Sequence, residues 1–470
     1  MRVVLLWGVI AYLSIHAFKD WYRSLCGLLV LMAIIERPDI PKSLLGITGL
    51  SPWNILFAVI LLAWFANKDK EPKFLIPGNI KFYLGWLAFL ITYSFVRMIF
   101  DYSGINSFLT YVGSENASLK GLFIDDFVNC FKYFVLSILV MLGCNSRKRF
   151  SLGMGAVLLL NLVLALQVIK WMPLSELGNG AALEQRAIRT LDREIGYFRS
   201  DLAVILAGAS WAIYSVRHAM KGFFIRSFAL ASSLACALAV ALTGGRIGMA
   251  AWVVTALMLA VFRWWRFLVF VPILLVVVIT NVPSVLERFT QGMGLGDESS
   301  SEEADAYSMT SGRSEMWPKL IEGIEDNPLL GYGRRGMQNS GISQYLGEEY
   351  GIPFPHPHNA YLELVVDNGV ILSIPIFIFF LVLAKYSLSL FRDSRDSLFI
   401  VAGGAGFSYV VAHLIGSIGS QSFYPTIGSV SMWCVIGMML RVYFERKRME
   451  EYSRKYKVPL EDLEPWGLER

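Results

Sequence analysis

Charge is what this sequence has least of. Only 17% of its 470 residues are charged, against roughly a quarter in an ordinary soluble chain, and that deficit excludes a simple water-soluble domain. Histidine is nearly absent, with five in all. The five cysteines (Cys26, Cys130, Cys144, Cys236 and Cys434) never stand in a C-x-x-C spacing. They lie in or beside apolar segments, where a thiol packs as a small hydrophobe, so they read as core residues rather than metal ligands, and no cofactor is expected. No internal repeat, P-loop or dinucleotide fingerprint can be read, which leaves nucleotide-driven transport without support. The net charge of +5 is modest and comes from basic loops, so it argues topology rather than nucleic-acid binding. Met1-Arg2 runs into an apolar stretch without a small-residue cleavage site, so no cleavable signal peptide is expected.

Apolar runs fill the space that charge leaves. Hydrophobic residues make up 55% of the chain and the mean hydropathy is +0.52. About thirteen apolar segments follow one another: 3–17, 24–36, 52–67, 82–100, 124–143, 151–172, 199–216, 223–243, 247–262, 266–282, 359–384, 397–418 and 425–443. Runs of this length predict an all-α polytopic membrane protein with about 12–13 transmembrane helices, embedded in membrane lipids. The first two runs are short, and one of them reads equally as re-entrant or interfacial. Plentiful tryptophan and tyrosine suit the two interfacial belts.

Basic residues set the sidedness. Lys68, Lys70, Lys73 and Lys81 follow the third segment, and Arg147-Lys148-Arg149 the fifth. Arg217, Lys221, Arg226, Arg263, Lys385, Arg392, Arg395 and Arg446-Lys447-Arg448 fall in alternate loops further on. Such loops stay cytoplasmic. The loops 37–51, 101–123, 173–198, 244–246, 283–358 and 419–424 then face outward, and Lys19 and Arg23 favour an outside N-terminus over Arg2. Residues 1–440 read as the membrane domain, and 441–470 as a charged cytoplasmic tail, helical in part and dispensable for chemistry.

The longest outer loop, 283–358, has a small, acidic stretch at 291–311 that reads as a mobile tip. An amphipathic helix follows, with Met316, Trp317, Leu320, Ile321 and Ile324 on one face. Asn327-Pro328 stops it, and Gly331-Tyr332-Gly333 makes a tight turn.

Residues suited to chemistry collect on this outer side. Pro353, Pro355 and Pro357 hold the chain extended up to His358, and Asn359 is placed to cap the next helix, whose free N–H groups welcome an anion. His358 can take a proton near neutral pH; it reads equally as a surface histidine. His356, two residues away, points the same way in an extended segment, so a metal pair is conceivable, but no third ligand at a suitable spacing is visible and no metal is expected. Arg246, in Thr243-Gly244-Gly245-Arg246-Ile247-Gly248, gains nothing from the cytoplasmic bias, and snorkelling to lipid phosphates is its alternative. Arg313 opens the loop helix. Arg186, Arg189, Arg193 and Arg199 crowd one outer loop, either for an anionic ligand or as surface pairs with Asp192, Glu194 and Asp201. Lys132 lies inside an apolar segment, a functional candidate or the partner of Asp125 and Asp126. Arginine forks suit diphosphate. One histidine base among outward arginines therefore points to transfer of a group carried on a lipid diphosphate, the donor bringing its own energy where no nucleotide is at hand.

His358-Asn359, nine residues and then Gly369 resembles the histidine signature of the O-antigen ligase-related family. Arg313-Ser-Glu-Met-Trp317 with Asp326-Asn-Pro328-Leu-Leu-Gly331-Tyr-Gly333 resembles that family's arginine, tryptophan and Asn-Pro-Leu-Leu-Gly stretch, and Thr243-Gly-Gly-Arg246 its Ser-Arg-Gly motif. The matching core covers about residues 190–385. The resemblance implies a GT-C-like membrane glycosyltransferase of the cell inner membrane with a large periplasmic loop. It implies an undecaprenyl-diphosphate-linked glycan as donor and metal-independent transfer with inversion. The receiving hydroxyl would lie on a glycan, a lipid A-core or a protein, as in lipopolysaccharide O-antigen ligation, in polymerisation of lipid-linked repeat units or in protein O-glycosylation. The base maps onto His358 and the two arginines onto Arg246 and Arg313, with Asn359, Arg193, Arg199, Lys132, His356 and Trp317 as substrate-binding candidates. Leu372 departs from the small residue or tyrosine that the signature prefers, and Asp201 from an asparagine. The non-enzymatic alternatives are a transporter of lipid-linked oligosaccharide, which would line a path through the bilayer centre with charge, and a scaffold of an export machine.

Overall fold

Capping oxygens mark where several helices begin. Asp20, Ser51, Ser146 and Asp396 each accept a hydrogen bond from a backbone N–H two or three residues on, which satisfies a donor that a helix start would otherwise leave bare. A computed structural model describes residues 2–41, 49–72, 74–175, 180–270, 313–351, 353–419 and 422–467. In chain order the helices are α1 (Arg2–Ala17), α2 (Trp21–Ile35), α3 (Pro52–Asn67), α4 (Gly78–Phe100), α5 (Ser103–Tyr111), α6 (Leu119–Gly143, with a π-helical turn over Phe123–Val128), α7 (Arg147–Trp171), α8 (Gly180–Ile195), α9 (Arg199–Val216), α10 (Phe223–Leu242), α11 (Arg246–Phe262), α12 (Arg313–Asp326), α13 (Ile342–Tyr350), α14 (Ala360–Asn368), α15 (Val370–Phe391), α16 (Ser397–Gly416) and α17 (Val430–Tyr456). There is no strand among the described residues.

The fold is an all-α polytopic membrane protein. Among the described residues, eight helices are long and apolar enough to cross a bilayer: α4, α6, α7, α9, α10, α15, α16 and α17. The others that fall on predicted apolar segments, α1, α2, α3 and α11, have only 15 to 17 residues, short of the ~20 that a spanning helix needs. The predicted segment 266–282 beyond residue 270, and the acidic stretch 291–311, lie outside the described residues.

Four details go beyond the sequence reading. The apolar run 359–384 is not one helix: it breaks at Gly369, whose φ of 78° and ψ of 166° only glycine tolerates. The outer loop 173–198 carries α8. Ile321 turns away from the apolar face of α12 and is exposed, while Met316 and Leu320 are buried. The last helix runs unbroken through Arg441 to Tyr456, with Arg441 itself buried against Glu445 and the Phe74 ring.

Inside the bundle, small residues and shared hydrogen bonds hold the helices together, since lipid offers no hydrophobic contrast between them. α9 packs closely on α16 where Gly208 meets Tyr409; a Cβ there would stand 2.8 Å from the Tyr409 ring. Buried Asn161 of α7 donates to Tyr409 at 2.9 Å and to Ser431 of α17 at 3.1 Å.

The basic loops meet at one end. Arg149 pairs with Glu71 and Asp20, Arg147 with Asp396, and Arg263 reaches Ser394. At the other end of α4 and α16 lie the segments 313–351, 353–358, 417–419 and 422–426, tied together by the contacts described next.

Candidate active site

The segment before α14 is held by backbone carbonyls rather than by its own packing. Trp317 Nε1 donates to the Pro357 carbonyl at 3.1 Å, and Gln338 Nε2 to that of Pro355 at 2.8 Å. Ala360 N–H donates to Ser417 O at 2.8 Å. Asn359 caps α14, its Oδ1 accepting from Tyr361 N at 3.0 Å and Leu362 N at 3.2 Å. Fixed on both sides, His358 adopts a left-handed backbone with φ 49°. That conformation costs a non-glycine residue about 1–3 kcal/mol and persists only where its surroundings over-determine it. The ring stands 4.1 Å from that of His356 and edge-on to Phe354 at 5.4 Å.

Two arginines share the surroundings of His358. Arg313, at the start of α12, is half-buried; Nη2 donates to Gly419 O at 3.2 Å, while its buried Nε has no hydrogen-bond partner. Arg199, at the start of α9, pairs through Nη2 with Glu184 of α8 and leaves a buried Nη1 unpartnered. Burial pushes the His358 pKa down to about 3, with His356, Arg313 and Arg199 adding to the effect. Burial also lowers that of Arg313, helped by neighbouring Arg246. Arg246 opens α11, where Gly244 (φ 66°) and Gly248 let this turn sit against α8 and α9. Arg246, Arg313, Arg199 and His358, far apart in the chain, are thus neighbours.

A cavity of about 330 Å³ opens beside His356 and His358, at the small end of the ~300–1,000 Å³ range of ligand pockets. Much of its wall escaped the sequence reading. Arg334 donates through Nη1 to Glu363 at 2.8 Å and Asp367 at 3.2 Å, lies 3.5 Å from Asp126, and rests on the Tyr424 ring at 4.0 Å. Arg335, also left-handed at φ 59°, reaches Asp126 at 2.9 Å. Asp126 therefore serves these arginines. The Asn-Pro-Leu-Leu-Gly stretch exists to place them: Tyr332 N–H and Gly333 N–H donate to Val366 O and Asp367 O at 2.9 Å, Arg334 N–H to Ser94 O at 2.8 Å, and Val370 N–H to Pro328 O at 2.7 Å. Gly331 and Gly333, both at positive φ, leave no room for a Cβ against Asp367 and Met98. The signal available in the sequence was a pair of arginines closed between glycines, Gly333-Arg334-Arg335-Gly336.

Other candidates lie elsewhere. Lys132 faces the rings of Trp53 and Tyr133 at 4.5 and 4.7 Å and does not line the cavity. Arg193 is exposed and pairs with its neighbour Glu194. Trp317 reaches the site only through Pro357. No group of three or more metal-ligating side chains occurs among the described residues.

Residues 231–377 match the family model described as O-Antigen ligase. A search of curated proteins returned no match. The matched stretch holds Arg246, Arg313, Arg334 and His358, whereas Asp126 and Arg199 come from outside it. Over this stretch the chain is similar to the O-antigen ligase family.

Proposed function

We propose that the protein is an inner-membrane glycosyltransferase that moves a glycan from undecaprenyl diphosphate to a receiving hydroxyl on the periplasmic side, as in lipopolysaccharide O-antigen ligation. One observation carries the reading: an imidazole held in strained backbone at a cavity, beside two guanidinium groups that each keep a buried N–H without a partner. His358 accepts the proton of the receiving hydroxyl. The freed oxygen bonds to the anomeric carbon as the bond from that carbon to the diphosphate oxygen breaks, with inversion. Arg313 and Arg199, with Arg246 behind them, stabilise the charge gathering on the departing lipid diphosphate, which is the larger electrostatic task. This assignment asks no metal to neutralise the leaving group, and it uses neither Lys132 nor Arg193.

The same chemistry serves polymerisation of lipid-linked repeat units or transfer to a protein hydroxyl; the receiving molecule separates them. Glycan analysis of a deletion strain tests the reading. Ligation predicts accumulation of long lipid-linked chains, restored to product by wild type but not by His358→Ala at equal protein level. Accumulation of single repeat units would favour polymerisation, and normal glycans in the deletion strain would refute the proposal.

A further inference from the structure

The cavity and its surroundings have two chemically different sides. Arg199 and Arg313, outside the cavity lining, each keep a buried guanidinium N–H without a partner. Toward α14 and the π-helical turn of α6 the cavity's cations are already matched: Arg334 and Arg335 face the carboxylates of Asp126, Glu363 and Asp367. Two guanidinium groups against three carboxylates leave no surplus positive charge to draw a diphosphate. What remains is a fixed array of hydrogen-bonding groups of both kinds, which is what adjacent hydroxyls of a sugar require, because each hydroxyl both donates and accepts.

Gln338 supplies an independent sign of a missing ligand. It lines the same cavity and is only 7% exposed. Its Nε2 is committed to Pro355 O, and its buried Oε1 accepts no hydrogen bond. Buried amide oxygens are ordinarily satisfied, and a sugar hydroxyl is a donor of the right size. His356 stands toward Glu363 and Arg334, and His358 toward Arg313 and Arg199, so the base lies where the two sides meet.

We propose that Asp126, Arg335, Gln338 and Glu363 form the subsite that binds the receiving sugar through its hydroxyls, separate from the diphosphate side at Arg199 and Arg313. The inference rests on the glycosyl-transfer reading and gives it a direction: donor from one side, receiving sugar from the other, His358 between. Asp126 lies outside the matched stretch 231–377, so part of the choice of receiving sugar is made beyond the family domain.

The test uses the full-length protein in a detergent without sugar. Donor glycolipid and lipopolysaccharide core are prepared separately from cells deleted for the protein, and undecaprenyl diphosphate is the binding probe for the donor side. Gln338→Met and Arg335→Lys should each raise the KM for core ten-fold or more while the Kd for undecaprenyl diphosphate stays within two-fold. Arg313→Ala should do the reverse. A parallel rise in the Kd for undecaprenyl diphosphate, or an unchanged KM for core in both Gln338→Met and Arg335→Lys, overturns the subsite and leaves the transferase reading standing. Wild-type protein that makes no product overturns both.

Discussion

An imidazole enclosed beside guanidinium groups resists protonation, and this governs what His358 can do. With its pKa pushed down to about 3 by burial, His356, Arg313 and Arg199, it is neutral throughout the physiological range and ready to accept a proton. Between the ordinary value of about 6.5 and 3, the unfolded chain binds a proton that the folded site refuses. This group therefore withdraws stability as pH falls through that window and is indifferent above it. In the proposed reaction, a bound diphosphate would supply the opposite charge and raise the pKa, strengthening the base once the donor has arrived. The acid limb of kcat/KM, which reports the free enzyme, is expected below the usual histidine range, and that of kcat at higher pH. A kcat/KM limb at about 6.5 would contradict this. Arg334 poses a different demand. It serves Glu363, Asp367 and Asp126 from one planar fork stacked on Tyr424, which lysine cannot reproduce. Arg334→Lys should cost about 3–5 kcal/mol, the penalty for stranding buried charge partners, and abolish transfer, whereas Lys132→Met should retain it. Thermal unfolding and transfer assays on the two variants check both expectations.

At the level of elements, the site is a docking of short segments on one another. The turn before Arg334 pairs with the end of α14, and Gly369 lets α15 begin at once on a new axis: a Cβ at Gly369 would collide with the Leu329 carbonyl. Gly369→Ala should destabilise by at least about 1–3 kcal/mol from backbone strain alone and lower transfer through a displaced Arg334, with helix content unchanged by circular dichroism. Unaltered activity would show that this junction does not set the site. The sequence made some of these elements legible and hid others for a physical reason. Three prolines, a capping asparagine and a histidine act locally, so the segment 353–359 could be read directly, as could the apolar face of α12 through Met316 and Leu320. The break at Gly369 was masked because hydrophobicity runs straight across it. Arg334 was missed because its meaning resides in Ser94, Asp126 and Asp367, which only the folded chain brings near. Lys132 was legible as an intramembrane charge, but the Trp53 and Tyr133 rings that it faces come from the fold.

Across the whole molecule there are two distinct ends, one tied by Arg147, Arg149 and Arg263 and the other bearing the cavity; the basic residues predict that the cavity end faces outward. The five native cysteines are buried, so single introduced cysteines can report sidedness. Glu349→Cys, at an exposed position near the cavity end, should react with a membrane-impermeant maleimide in intact spheroplasts, and Lys148→Cys only after lysis; the reverse pattern would place the site in the cytoplasm. The central claim, that His358 removes the proton while arginines hold the diphosphate, is tested most directly by single-turnover glycan transfer with purified protein. The account predicts that His358→Ala slows the chemical step by roughly 10²–10⁴ while undecaprenyl diphosphate still binds. Transfer by His358→Ala at the wild-type rate would contradict it.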